Sequence, residues 1–209
     1  MQKFENIIFD LGGVILNLDY SKTTQAFKDL GLTNFEEMYS QAAQTGLFDR
    51  FEKGLCSPSY FVNALLDYMP ARTTPNQIVA AWNAMILEFP IENLELLLSL
   101  KQKYRIFLLS NTNEIHIQKL HRTLSQTVSE DTLVPYFEKV YYSSDLNLRK
   151  PELEIFEKVC NDNGLERSKT VFIDDTLQHL EGAKKAGLQT IHFQKGARHL
   201  KEFFDEILP

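Results

Sequence analysis

Apolar residues fall along the chain in two different periods. Ile7–Phe9, Ile106–Leu109, Val140–Tyr142, Val171–Ile173 and Thr190–Phe193 are short runs rich in Ile, Val, Phe and Tyr. They are continuous instead of alternating, which predicts strands covered on both faces. Around the last four runs lie helical spacings: Leu94, Leu97 and Leu98; then Leu153, Phe156 and Val159 after Pro151; then Leu177, Leu180 and Ala183 ahead of Gly187. Strand and helix taking turns in this way predict a doubly wound α/β fold with a parallel sheet and right-handed crossovers.

From about Asn17 to Phe89 the alternation stops. This stretch is helix-patterned throughout, and its apolar faces draw on Phe27, Leu30, Phe35, Met38, Tyr39, Phe48, Phe51, Phe61, Leu65, Trp82, Met85 and Ile86. Gly46, Gly54, Pro58, Pro70 and Pro75 punctuate it. The expected organisation is an α/β core of residues 1–16 and 90–209 with a helical domain, 17–89, inserted after the first strand.

Composition narrows the function. The 209 residues carry a net charge of −6 with lysines and arginines scattered, so no general grip on nucleic-acid phosphates is expected and an anionic ligand must be held locally. Cys56 and Cys160 are far apart and match no metal spacing, which suits a reduced compartment. The first residues lack a secretory leader and no apolar run could cross a bilayer, so the expected location is cytoplasmic and no membrane partner is foreseen.

In open parallel sheets ligands bind beyond the carboxyl ends of the strands. Here the first run ends at Asp10, the second at Ser110-Asn111 and the fourth at Asp174-Asp175, while Lys150-Pro151 follows the third. Carboxylates suit a hard cation such as Mg²⁺, a lysine offsets phosphate charge, and a hydroxyl with a nearby helix start serves anionic oxygens. One carboxylate in line with a leaving group can act as nucleophile. Each of these types has a use if the ligand is a phosphate on a divalent metal, as a small phosphorylated metabolite would be.

Phe9-Asp10-Leu11-Gly12-Gly13-Val14, Leu109-Ser110-Asn111-Thr112, Arg149-Lys150-Pro151 and Phe172-Ile173-Asp174-Asp175 resemble, in order, the four motifs of the haloacid dehalogenase-like hydrolases. Phe48-Asp49-Arg50-Phe51-Glu52-Lys53-Gly54 resembles a cap segment of the branch that holds sugar-phosphate phosphatases and the phosphatase domain of soluble epoxide hydrolases. The resemblance implies a Mg²⁺-dependent phosphatase with Asp10 as nucleophile and metal ligand. It further implies metal contacts from the Gly12 carbonyl and from Asp174 and Asp175, with Asp175 favoured by motif position. Ser110, Asn111 and Lys150 would hold the phosphoryl group, and Phe48, Arg50 and Glu52 would meet the substrate from the cap.

One position departs from the family pattern. Phosphatases of the family usually carry an acid two residues after the nucleophile, and this chain has Gly12, so proton transfer worth ~10²–10⁴-fold must be supplied otherwise or forgone. A leaving group that needs less protonation is one answer, and a hexose 1-phosphate fits it; Asp19 or His179 as a replacement acid is another. Two further readings stay open, a phosphate-binding sensor without turnover and a metal-free haloacid dehalogenase. The paired acids Asp174 and Asp175 count against the dehalogenase, because a halide-displacing site has little use for them.

Overall fold

The computed structural model describes residues 4–32, 34, 35, 37–39, 46–194 and 199–207. Five parallel strands form its centre: β1 Asn6–Phe9, β2 Arg105–Ser110, β3 Lys139–Tyr142, β4 Thr170–Asp174 and β5 Gln189–His192. Their spatial order is β3-β2-β1-β4-β5. Each of the five apolar runs is a strand, displaced by a residue or so at its ends.

Side chains alternate across the sheet, and the two sets meet different helices. Ile7, Phe9, Ile106, Leu108, Val171 and Ile173 belong to one apolar layer. It is completed by Leu94, Leu97 and Leu100 of α5 (Ile91–Leu100), Leu120 and Leu124 of α6 (Glu114–Val128), and Phe203 and Phe204 of α10 (Leu200–Ile207). Ile8, Phe107, Leu109 and Phe172 face the other layer. There they meet Ile155, Phe156 and Val159 of α8 (Leu153–Asn163) and Leu180 and Ala183 of α9 (Leu177–Lys185), while the single turn α7 is Ser143–Leu146.

Between β1 and α5 lie α1 Tyr20–Asp29, α2 Leu47–Glu52, α3 Pro58–Leu66 and α4 Pro75–Asn83. Proline opens both α3 and α4, where its missing N–H is harmless, and Thr74 with Gln77 closes a capping box on α4. Phe27, Phe51, Phe61, Leu65, Ile78 and Trp82 form a third apolar cluster, joined by Ile115 of α6. Phe51 stacks on Phe61 with centroids 4.1 Å apart, a contact worth about 0.5–1.5 kcal/mol beyond its buried area.

The segments leading into and out of this helical region pair with one another. Leu18 bridges Ile86 antiparallel, Asn17 N–H donates to Glu88 O at 3.1 Å and Asp19 N–H donates to Met85 O at 2.9 Å. No strand was expected in 17–89. The pairing joins residues some seventy apart, a separation local periodicity does not register.

Candidate active site

Strand register gathers the predicted residues. Phe9 pairs with Leu108 on one side and with Ile173 on the other, so one step further Asp10 lies beside Asp174, and Asp10 N–H donates to Ile173 O at 2.9 Å. Lys150 reaches the same point from the loop after β3. Its Nζ donates to Asp10 Oδ1 at 2.6 Å and to Asp174 Oδ2 at 2.8 Å, with no exposed surface. The ammonium also stands 5.2 Å from the Phe172 ring centroid. Oxygens of Asp10, Asp174 and Asp175 come within 4.8 Å of one another.

Two glycines set the shape of the loop after β1. Gly13 has φ +82°, a left-handed conformation that favours glycine, and a Cβ there would overlap Asp175 Oδ2. Gly13 therefore lets Asp175 approach the loop. Gly12 faces the cavity, but a Cβ on it would lie 2.5 Å from Leu18 Cδ1.

The three acids are not equivalent. Asp174 is fully buried and satisfied: besides Lys150 it accepts from Thr176 N–H at 2.7 Å and meets His179 Nδ1 at 3.0 Å. Burial alone would raise its pKa, but Lys150 and His179 hold it below the usual carboxylate range. Burial raises Asp10, with Asp174 and Asp175 adding to the rise and Lys150 opposing it. Asp175 is likewise raised, by burial first and then by Asp174. Three carboxylates and one ammonium leave an excess of negative charge directed at the cavity.

Asn111 serves the lysine. Its Nδ2 donates to Lys150 O and its Oδ1 accepts from Lys150 N–H, both at 2.9 Å, so both arms of the amide are occupied. Ser110 is buried at the end of β2, and Asn113 caps the start of α6 by accepting from His116 N–H at 3.1 Å. Asp19 caps α1, accepting from Ser21 N–H at 3.0 Å.

A cavity of about 470 Å³ opens over the strand tips. Asp10, Gly12, Ser110, Asn111 and Asp175 line its floor, and Tyr20, Tyr39, Glu52, Trp82, His116 and Arg149 are among the residues of its walls. Of the three residues expected to meet substrate from the helical region, Glu52 lies on this lining. Phe48 stacks between Tyr39 and Trp82 at 4.4 and 5.5 Å, and Arg50 sits over the Tyr60 ring at 5.6 Å.

Glu52 pairs with Arg149 at 2.9 Å, and Arg149 also reaches Asp49 at 3.2 Å. Ser143 Oγ donates to Glu52 O at 2.6 Å, Asn147 Nδ2 donates to Lys53 O at 2.7 Å, and Lys53 pairs with Glu152 at 2.5 Å. These contacts pin α2 to the loop that carries Lys150. Sequence reasoning gave no role to Arg149, Tyr20, Trp82 or His116. Arg149 lay inside a quoted motif beside Lys150, whereas the other three sit on helices whose only signal was apolar spacing.

Residues 4–187 match the family described as haloacid dehalogenase-like hydrolase. The chain belongs to this family. Among curated relatives, the D-ribitol-5-phosphate phosphatase of Bacteroides thetaiotaomicron is 33% identical over 195 residues, 92% of this chain and 93% of that one. A solved haloacid dehalogenase family enzyme from the same organism, in complex with magnesium and inorganic phosphate, superimposes with a TM-score of 0.87. It is 34% identical, and the match covers 99% of this chain and 100% of that one. A predicted family hydrolase from Porphyromonas gingivalis gives a TM-score of 0.85 at 31% identity, covering 99% of this chain and 98% of that one. Among the described residues no helix is long and apolar enough to cross a membrane.

Proposed function

We propose that this haloacid dehalogenase-like phosphatase hydrolyses the phosphomonoester of a small sugar or sugar alcohol, with Mg²⁺ bound, through a phosphoryl group carried on Asp10. The observation that carries the reading is the Lys150 ammonium, buried without exposure and bonded to both Asp10 and Asp174 beside a third acid.

The donor set fits a hard divalent cation. Asp174 has its oxygens engaged by Lys150, Thr176 and His179, whereas Asp10 and Asp175 line the cavity with burial and mutual repulsion working against their charge. Asp10, Asp175 and the Gly12 carbonyl would hold the cation, with Asp174 supporting Lys150. Such an ion offsets charge on phosphate oxygens. The residues do the rest: Lys150 and Ser110 hold the phosphoryl group, backbone N–H groups after Ser110 add to the grip while the Asn111 side chain fixes Lys150, and Asp10 Oδ attacks phosphorus.

A polyhydroxylated substrate is supported by the walls. Tyr20, Tyr39, Glu52 and Arg149 bring polar groups to the lining beside apolar Leu18 and Trp82, a mix that suits hydroxyl groups on a short carbon chain. The name of the 33% identical relative points the same way, to an open-chain polyol bearing a primary phosphate. The helical residues 17–89 would act as the cap that selects this part of the ligand.

Phosphate release from a panel that includes ribitol 5-phosphate, hexose 1-phosphates and hexose 6-phosphates tests the reading. Release should need Mg²⁺, stop with EDTA and favour one polyhydroxylated ester. Turnover that survives EDTA, or binding without release across the panel, would overturn it. Within the panel, a preference for hexose 1-phosphates over hexose 6-phosphates would select the anomeric leaving group.

A further inference from the structure

Gly12 brings no proton. Leu18, whose backbone bridges to Ile86, places its Cδ1 2.5 Å from where a Cβ on Gly12 would stand, so a side chain at position 12 would have to displace that methyl. A donor must reach the leaving oxygen from another wall of the cavity.

Most candidates are engaged. Thr23 Oγ1 donates to Trp82 O at 3.3 Å and accepts from Met85 N–H at 3.1 Å, and Thr24 Oγ1 bonds to Tyr20 O at 3.5 Å. His116 has both ring nitrogens in use, on Trp82 O and on Asn113. His179 is tied to Asp174 through Nδ1. Tyr39 faces the charges of Glu52 and Arg149, not those of the strand tips.

Tyr20 remains. It opens α1 two residues after Leu18, so the segment that crowds position 12 also delivers this phenol to the lining shared with Asp10 and Asp175. Among the described residues its hydroxyl has no hydrogen-bond partner. The residue is 68% exposed, and its phenol lines the cavity; local burial pushes the phenol up to about 12, with the charges of Asp175 and Asp10 adding to the rise. It therefore holds its proton at neutral pH, and an alkoxide is basic enough to take it.

We propose that Tyr20 donates the proton to the leaving oxygen, in the role that Gly12 cannot fill. The proposal rests on the reading of Asp10 as nucleophile. As Asp10 Oδ bonds to phosphorus, the bond from phosphorus to the alcohol oxygen breaks. That oxygen takes the bonding pair and the Tyr20 proton, and the alcohol leaves. Water then adds to phosphorus, gives its proton to the Tyr20 oxygen, and releases phosphate and the Asp10 carboxylate.

The experiment compares Tyr20→Phe, His179→Gln and Asp10→Asn with the parent enzyme on ribitol 5-phosphate and on p-nitrophenyl phosphate, whose leaving group needs no proton. Tyr20→Phe should lower kcat for the alkyl ester by ~10²-fold and for the aryl ester by less than a tenth of that, with KM little changed. Equal losses on both esters, no loss on the alkyl ester, or the differential pattern in His179→Gln instead would overturn the proposal. Asp10→Asn separates the two claims, since activity surviving in that variant removes the nucleophile itself and the Tyr20 role with it. Tyr20 is largely exposed, so Tyr20→Phe should melt with the parent, and thermal unfolding checks that the variant is folded.

Discussion

The strand tips and the helical region above them are held by opposite means. At the tips, a buried ammonium and buried carboxylates are fixed by strand register, with Lys150 and Asp174 fully out of solvent. The helical region carries an aromatic cluster of its own and fastens to the core through ion pairs that keep partial exposure, Arg149 with Asp49 and Glu52, and Lys53 with Glu152. Buried charges are costly to leave unpaired, whereas exposed pairs are worth little. The difference separates a centre fixed by buried charge from a wall held by aromatic packing, the His116–Trp82 contact and partly exposed ion pairs.

Breaking the centre should have the largest effect. Lys150→Met leaves Asp10 and Asp174 without their shared cation, and a loss of about 3–5 kcal/mol in unfolding free energy is expected, together with loss of phosphate binding. Denaturant melts and phosphate titration check it, and a melt unchanged from the parent would place little weight on the buried pair.

The junction between the two regions gives an intermediate effect with a pH signature. His116 stacks on Trp82 at 5.2 Å and holds its carbonyl through Nε2, and burial lowers the His116 pKa to about 4. The unfolded chain takes up this proton near pH 6.5 while the folded chain refuses it, so this stability is present at pH 7 and is lost as pH falls toward 4. Between pH 7 and pH 5 the parent should lose about 2 kcal/mol more than His116→Gln. Parallel melts at the two pH values measure the difference, and equal losses would contradict it.

The fastening should matter least to stability. Lys53→Ala removes the contact to Glu152, and the expected change is under about 1 kcal/mol, read from thermal unfolding. A larger loss would mean that the helical region is as firmly bound as the strand tips.

The centre was legible in the sequence for the reason that makes it rigid. Continuous apolar runs locate central strands, and the residue after each run must lie at its tip, so Asp10, Ser110 and Asp174 could be placed together before any coordinates. Lys150 arrived from a loop, through its neighbourhood to Pro151 and the family motif. The walls were not legible in this way. Tyr20, Trp82 and His116 sit on helices where an apolar face toward the cluster and an apolar face toward a cavity have the same spacing. Asn111 shows the remaining ambiguity, since its position at a strand tip suited a ligand contact while its amide is spent on the Lys150 backbone. Glycine at position 12 signalled an absence, and only the packing of Leu18 shows that the space is occupied.

The central claim is that one carboxylate, Asp10, carries the phosphoryl group. Rapid acid quench during turnover of ribitol 5-phosphate with Mg²⁺, followed by peptide mass spectrometry, tests it most directly. A phosphoryl group on Asp10 that appears and decays at rates compatible with kcat, and that is missing along with turnover in Asp10→Asn, is the predicted result. Steady release of phosphate with Asp10 unmodified, or undiminished turnover by Asp10→Asn, would contradict it.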